Sequence, residues 1–195
     1  MTLLILGLVI FLGVHSVRIV ADGWRTATIA RIGALPWKGL YSLVSIAGFV
    51  LIVIGYGMTR AQPTVDLFTP PGWARHLASL LTLFTFILLA AAYVPGNRIK
   101  AAVGHPMIAG VKLWAIAHLL ANGRVGDVVL FGAFLVWAMF DFRAARARDR
   151  ATGVTRTSAG IARDAITVVV GLVGWAVFAM MLHGMLIGVR PFGPA

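Results

Sequence analysis

The sequence predicts an all-α, polytopic membrane helix bundle of about six transmembrane helices, and three observations carry that prediction. Hydrophobic residues fill 60% of the 195 positions and charged residues only 12%, against about 45–50% and about 25% in soluble domains. The mean hydropathy is +0.93. The apolar residues gather into six runs, each near the roughly 20 residues that a helix needs to cross about 30 Å of hydrocarbon. No linker or composition shift divides the runs, so residues 1–195 read as a single transmembrane domain.

The first run, 3–20, follows Met1 and Thr2 directly; without a basic segment ahead of it, it reads as a retained helix rather than a cleaved leader. The second is 39–58, preceded by Pro36, and the third is 74–94, closed by Pro95, Gly96 and Asn97. Pro63, Pro70, Pro71 and Gly72 mark the loop between those two. The fourth run, 106–121, is short and ends at Asn122 and Gly123. The fifth is 125–142, and the arginine-rich stretch 143–150 is expected to carry its helix into the headgroup region. The sixth is 165–189. Trp24, Trp37 and Trp73 stand at segment edges, as interfacial belt residues do. Glycines within the runs, Gly7, Gly48, Gly55 and Gly171 among them, are expected to let helices approach closely.

The formal net charge of +11 comes from 17 Lys and Arg against six acids, all of them Asp. A basic chain can bind nucleic acid, but these cations lie in short loops between apolar runs, where they set topology. The first, third and fifth connectors hold most of them: Arg25, Arg31, Lys38, Arg98, Lys100 and the group from Arg143 to Arg163. The opposite side holds Arg60, Arg75, Arg124 and Arg190. The positive-inside rule therefore puts both termini outside the cytoplasm. The expected partner is the lipid bilayer, anionic headgroups included; no nucleic acid is expected and no protein partner is named. Cysteine is absent, which removes disulfides, thiolate nucleophiles and Cys metal sites.

Polar groups inside a membrane are costly and tend to be functional. Here they are His15, Lys112, His118 and His183, with His76 and His105 near segment ends. Arg18 follows His15 by three residues and Asp22 follows Arg18 by four, a spacing that pairs charges on a helix. A lone histidine in such a place reads as an interhelical hydrogen bond. Several on different helices, with no Cys or Glu nearby, suit axial ligation of haem better than a zinc or di-iron site, which wants carboxylates. His118 and His183 lie at similar depth, whereas His15 and His118 differ by roughly 10–15 Å at 1.5 Å per residue. Depth alone favours the first pair. The chain has no G-x-S-x-G elbow, H-E-x-x-H, P-loop or dinucleotide fingerprint.

Five blocks resemble one family: Phe11-Leu-Gly-Val-His-Ser-Val-Arg18, Trp37-Lys-Gly-Leu-Tyr-Ser-Leu-Val44, Tyr93-Val-Pro-Gly-Asn-Arg-Ile-Lys100, the stretch from Gly104 to His118, and Leu182-His-Gly-Met-Leu-Ile-Gly-Val-Arg-Pro-Phe192. They look like the NnrU family of bacterial membrane proteins, named for an association with nitrite and nitric oxide reduction genes. That family is similar to 15-cis-zeta-carotene isomerase, a membrane enzyme that uses haem b. The resemblance implies a bacterial inner-membrane location, haem b as cofactor, His15 and His118 as its ligands with His183 as a substitute, and an apolar polyene as substrate of a redox or cis–trans isomerase reaction. The alternative it implies is a non-enzymatic accessory protein of denitrification, whose histidines join helices. This chain has no Cys near His118, where the isomerase has one, and Trp137 stands about where the isomerase has a further histidine. The segment from Gly104 to Gly110 also resembles the R-H-P-x-Y-x-G core of membrane methyltransferases, but Gly104 and Ile108 replace the Arg and Tyr, and the acids of such a site are missing.

The cysteine-free chain makes the predicted orientation directly measurable. In intact cells, an impermeant maleimide is expected to label Gln62→Cys and to leave Ala147→Cys untouched until the membrane is opened. The reverse pattern overturns the assignment.

Overall fold

A computed structural model describes residues 1–63 and 65–192. The described residues are all-helical, with no named strand, in nine helices: α1 (Thr2–Val20), α2 (Asp22–Ile32), α3 (Ala34–Ala61), α4 (Ala74–Tyr93), α5 (Arg98–Val103), α6 (Pro106–Ala121), α7 (Val125–Thr152), α8 (Ile161–Val177) and α9 (His183–Ile187). A single π-helical turn, Phe178–Leu182, joins α8 to α9. Five stretches are long and apolar enough to cross a membrane: α1, α3, α4, α7 and the continuous segment Ile161–Ile187. The fourth apolar run is α6, whose 16 residues span only about 24 Å. Large apolar side chains face outward along these helices, as at Val9, Leu43, Phe49 and Val169. In water such surfaces would be a liability; in lipid they meet acyl chains.

The helices form two compact units, Met1–Thr69 with Asn122–Ala144, and Pro70–Ala121 with the described residues from Ala145 onward. In the first unit α1 packs along α3. The contacts pair Leu4 with Gly55 and Phe11 with Gly48, so the two helices run antiparallel. They touch backbone to backbone. A Cβ added at Gly55 would fall on the backbone nitrogen of Leu4, and one at Gly7 would lie 2.5 Å from that of Ile52. Leu4, Leu8 and Ile52 close the seam with nearly complete burial. Lipid tails are as apolar as leucine, so this association depends on close van der Waals fit.

Two features were not evident in the sequence pattern. The polar first connector is itself a helix, α2, with no buried residue; it starts one residue after α1, so Arg18 Nε still reaches Asp22 Oδ1 at 3.9 Å, and Arg25 adds a second contact at 3.5 Å. These ion pairs are exposed and contribute little. The sixth apolar run is interrupted by the π turn just before His183.

In the second unit α4 packs against both α6 and α8. Asn97 fastens the end of α4 to the start of α5 and is 1% exposed. Its Oδ1 accepts from the Lys100 amide at 2.6 Å, while its Nδ2 donates to the Ala91 and Val94 carbonyls at 2.9 and 2.5 Å. One side chain thus caps a helix N-terminus and satisfies two carbonyls at a helix C-terminus. α4 and α8 are also tied by the Trp175 indole, which donates to Thr82 Oγ1 at 3.2 Å.

Gly55→Val is expected to destabilise the folded protein in detergent by about 1–3 kcal/mol, since backbone is the atom it strikes and little can yield. Gly57→Val, where a Cβ meets nothing within 4 Å, serves as the control. Thermal unfolding of the two variants should differ by several degrees; equal stability would remove the close seam from the account.

Candidate functional site: the intramembrane histidines

The three histidines singled out by sequence share one local geometry. His15 Nδ1 donates to the Phe11 carbonyl at 2.6 Å, and His118 Nδ1 donates to the Trp114 carbonyl at 2.8 Å, each one turn back on its own helix. His183 Nδ1 donates to the Val189 carbonyl at 2.7 Å, past the end of α9 where the chain turns at Gly188. A carbonyl only accepts, so each of these rings donates from Nδ1, and in its neutral form the lone pair falls on Nε2. This is the arrangement in which a neutral imidazole ligates a metal through Nε2 while a backbone carbonyl holds its orientation.

His15 belongs to the first unit and has three aromatic neighbours. It stacks on Phe11, with centroids 4.2 Å apart and planes 29° from parallel. Tyr41 stands edge-on at 5.3 Å and Trp137 perpendicular at 6.0 Å. Phe11 is in turn packed against Phe49 and Phe134. The Trp137 indole nitrogen is buried without a hydrogen-bond partner, an uncommon state for a polar atom. Sequence reasoning placed Trp137 only by its position in the chain; its contact with His15 comes from α1 and α7 being neighbours in space.

His118 and His183 belong to the second unit. His118 lies beside the Trp114 ring at 5.1 Å, in a turn of α6 where Ala115 and Ala117 are fully buried. His183 is perpendicular to Phe178 at 5.9 Å, across the π turn. Such turns recur at functional positions because they re-aim the side chains that follow. Both rings are half-buried. His105 is engaged differently: its Nε2 donates to Asp149 Oδ2 at 2.8 Å. His76 is exposed at the start of α4. Among the described residues no three His or Asp side chains converge as a metal-binding group.

A polar pair that spacing did not reveal lies in the first unit. The Tyr56 hydroxyl donates to Asp127 Oδ1 at 2.6 Å, with Asp127 only 5% exposed. The other carboxylate oxygen accepts from the Arg124 amide at 3.2 Å, the return half of a capping box at the start of α7. Asp127 is third in its helix, which was the available sequence signal; its partner is 71 residues away. The pair is therefore explained by helix capping and burial.

Compared with known proteins, the chain finds no match among curated proteins and none among solved structures. The family model described as NnrU protein matches residues 3–191. That match takes in the three histidines and, but for Thr2 at the start of α1, all nine helices, and the chain belongs to the NnrU family.

Proposed function

We propose that this NnrU-family membrane protein binds haem b through its intramembrane histidines, in the bacterial inner membrane with both termini outside the cytoplasm. The observation that carries the reading is the shared tautomer: His15, His118 and His183 each spend Nδ1 on a carbonyl of their own segment. Those bonds do not join helices, which is the role the accessory-protein alternative assigns to them. A neutral imidazole held by its Nδ1 and set among aromatic rings is the donor that haem iron takes. The residues at His15 fit the group in this sense: the stacked Phe11 and the Trp137 edge provide flat apolar surface beside the ring.

His15 and His118 are the proposed ligands, with His183 as substitute. Bound haem would supply a one-electron couple at the iron. The protein's contribution is to hold each ring by its carbonyl bond, to keep the surroundings apolar, and to admit a substrate from the bilayer. A membrane-dissolved polyene fits that route, and cis–trans isomerisation of a zeta-carotene-like chain is the proposed reaction.

Protein purified in detergent from haem-replete cells is expected to show a Soret band, with sharp α and β bands on reduction. His15→Ala and His118→Ala should each lose or shift these bands, while His105→Ala should keep them. A colourless, well-folded wild-type protein sinks the reading. With pigment established, cis-zeta-carotene offered under reducing conditions tests the reaction, and unchanged substrate would leave a haem carrier rather than an isomerase.

A further inference from the structure

The second unit gathers cations at one end, just past its apolar segments. Residues 94–105 and 145–164 hold Arg98, Lys100, Arg146, Arg148, Arg150, Arg156 and Arg163 against only two acids, Asp149 and Asp164. Both acids are occupied. Asp164 takes Arg98 twice, through its backbone amide at 2.7 Å and its Nε at 2.6 Å. Asp149 Oδ2 takes Arg156 Nη2 at 2.7 Å and His105 Nε2 at 2.8 Å. Lys100 Nζ spends itself on the Ala92 carbonyl at 2.8 Å.

Over Gly104 the balance fails. Gly104 has φ +81, and its bare α-carbon leaves a place where a Cβ would lie 3.2 Å from Arg146 Nη1 and 3.6 Å from Arg156 Nη1. Two guanidinium groups therefore turn one nitrogen each toward the same spot. Arg156 has Asp149 on its other nitrogen. Among the described residues Arg146 has no carboxylate partner and reaches only the Val103 carbonyl, at 3.5 Å. Like charges converging with one acid between them call for an anion that accepts from several N–H groups at once, and a phosphate does so.

We propose that Arg146 and Arg156, over Gly104, hold the phosphate of an anionic phospholipid. The site lies where α4 has ended at Tyr93 and α6 has yet to begin at Pro106, which is headgroup level for helices that cross the bilayer. An apolar groove of about 290 Å³, lined by Phe86, Leu89, Tyr93, Val94, Val170 and Gly174, reaches the same end of α4 and offers a course for an acyl chain. The inference is independent of haem.

Native mass spectrometry of the full-length protein, released from detergent containing equimolar phosphatidylglycerol and phosphatidylcholine of matched chains, tests it. The wild type is expected to retain phosphatidylglycerol preferentially. R146Q/R156Q should lose that preference by about fivefold for each guanidinium removed. R150Q/R163Q removes equal charge at exposed positions of the same unit and should keep it; circular dichroism establishes that both variants are folded. Equal retention of the two lipids by the wild type overturns the proposal, as does an equal loss in both double variants, which would reduce the site to diffuse surface charge. Inorganic phosphate in millimolar excess should leave the preference intact; displacement to parity would reassign the spot to a soluble anion and overturn the lipid.

Discussion

A peptide N–H or C=O left unpaired in hydrocarbon costs several kcal/mol, and that penalty governs this chain more than any contact between side chains. It confines the long apolar segments to helices, which pair every backbone group within themselves. It also concentrates the remaining problem at helix ends, where four donors or four acceptors lack an internal partner. Asn97 shows the consequence at one junction: buried to 1% exposure, it serves the end of α4 and the start of α5 together. Asp127 does the same for α7, and Tyr56 covers the carboxylate that this leaves buried.

With backbone pairing satisfied inside each helix, what holds helices together is fit. The α1–α3 seam shows how far this goes, since Gly7, Gly48 and Gly55 bring main chain against main chain. The exposed aliphatic residues on the outward faces have no protein partner to find, and their abundance is the complement of the same rule.

The spans were legible because hydropathy is a local property. The run 106–121 matches α6 residue for residue, and 3–20 and 74–94 match α1 and α4 to within one residue. The arginine stretch continues α7 as far as Thr152, in line with the expectation that it carries its helix into the headgroup region. What remained hidden depends on long-range or fine geometry. The α2 helix has no apolar face to announce it. The neighbours of His15 come from three different helices, and only Phe11, four residues back, could be read from spacing. The convergence of Arg146 and Arg156 needs a turn at Gly104 that no periodicity encodes.

The π turn ahead of His183 bears on how relatives of this chain should be aligned and drawn. A π turn is an α-helical turn holding one residue too many, so the residues downstream stand about 100° away from where an uninterrupted α-helical count would put them. A helical wheel extrapolated from α8 therefore assigns His183 to the wrong azimuth, by more than a quarter of a revolution. A family member lacking one residue between Phe178 and Leu182, and α-helical throughout, would present the equivalent imidazole in the same direction, because the π turn absorbs the extra residue.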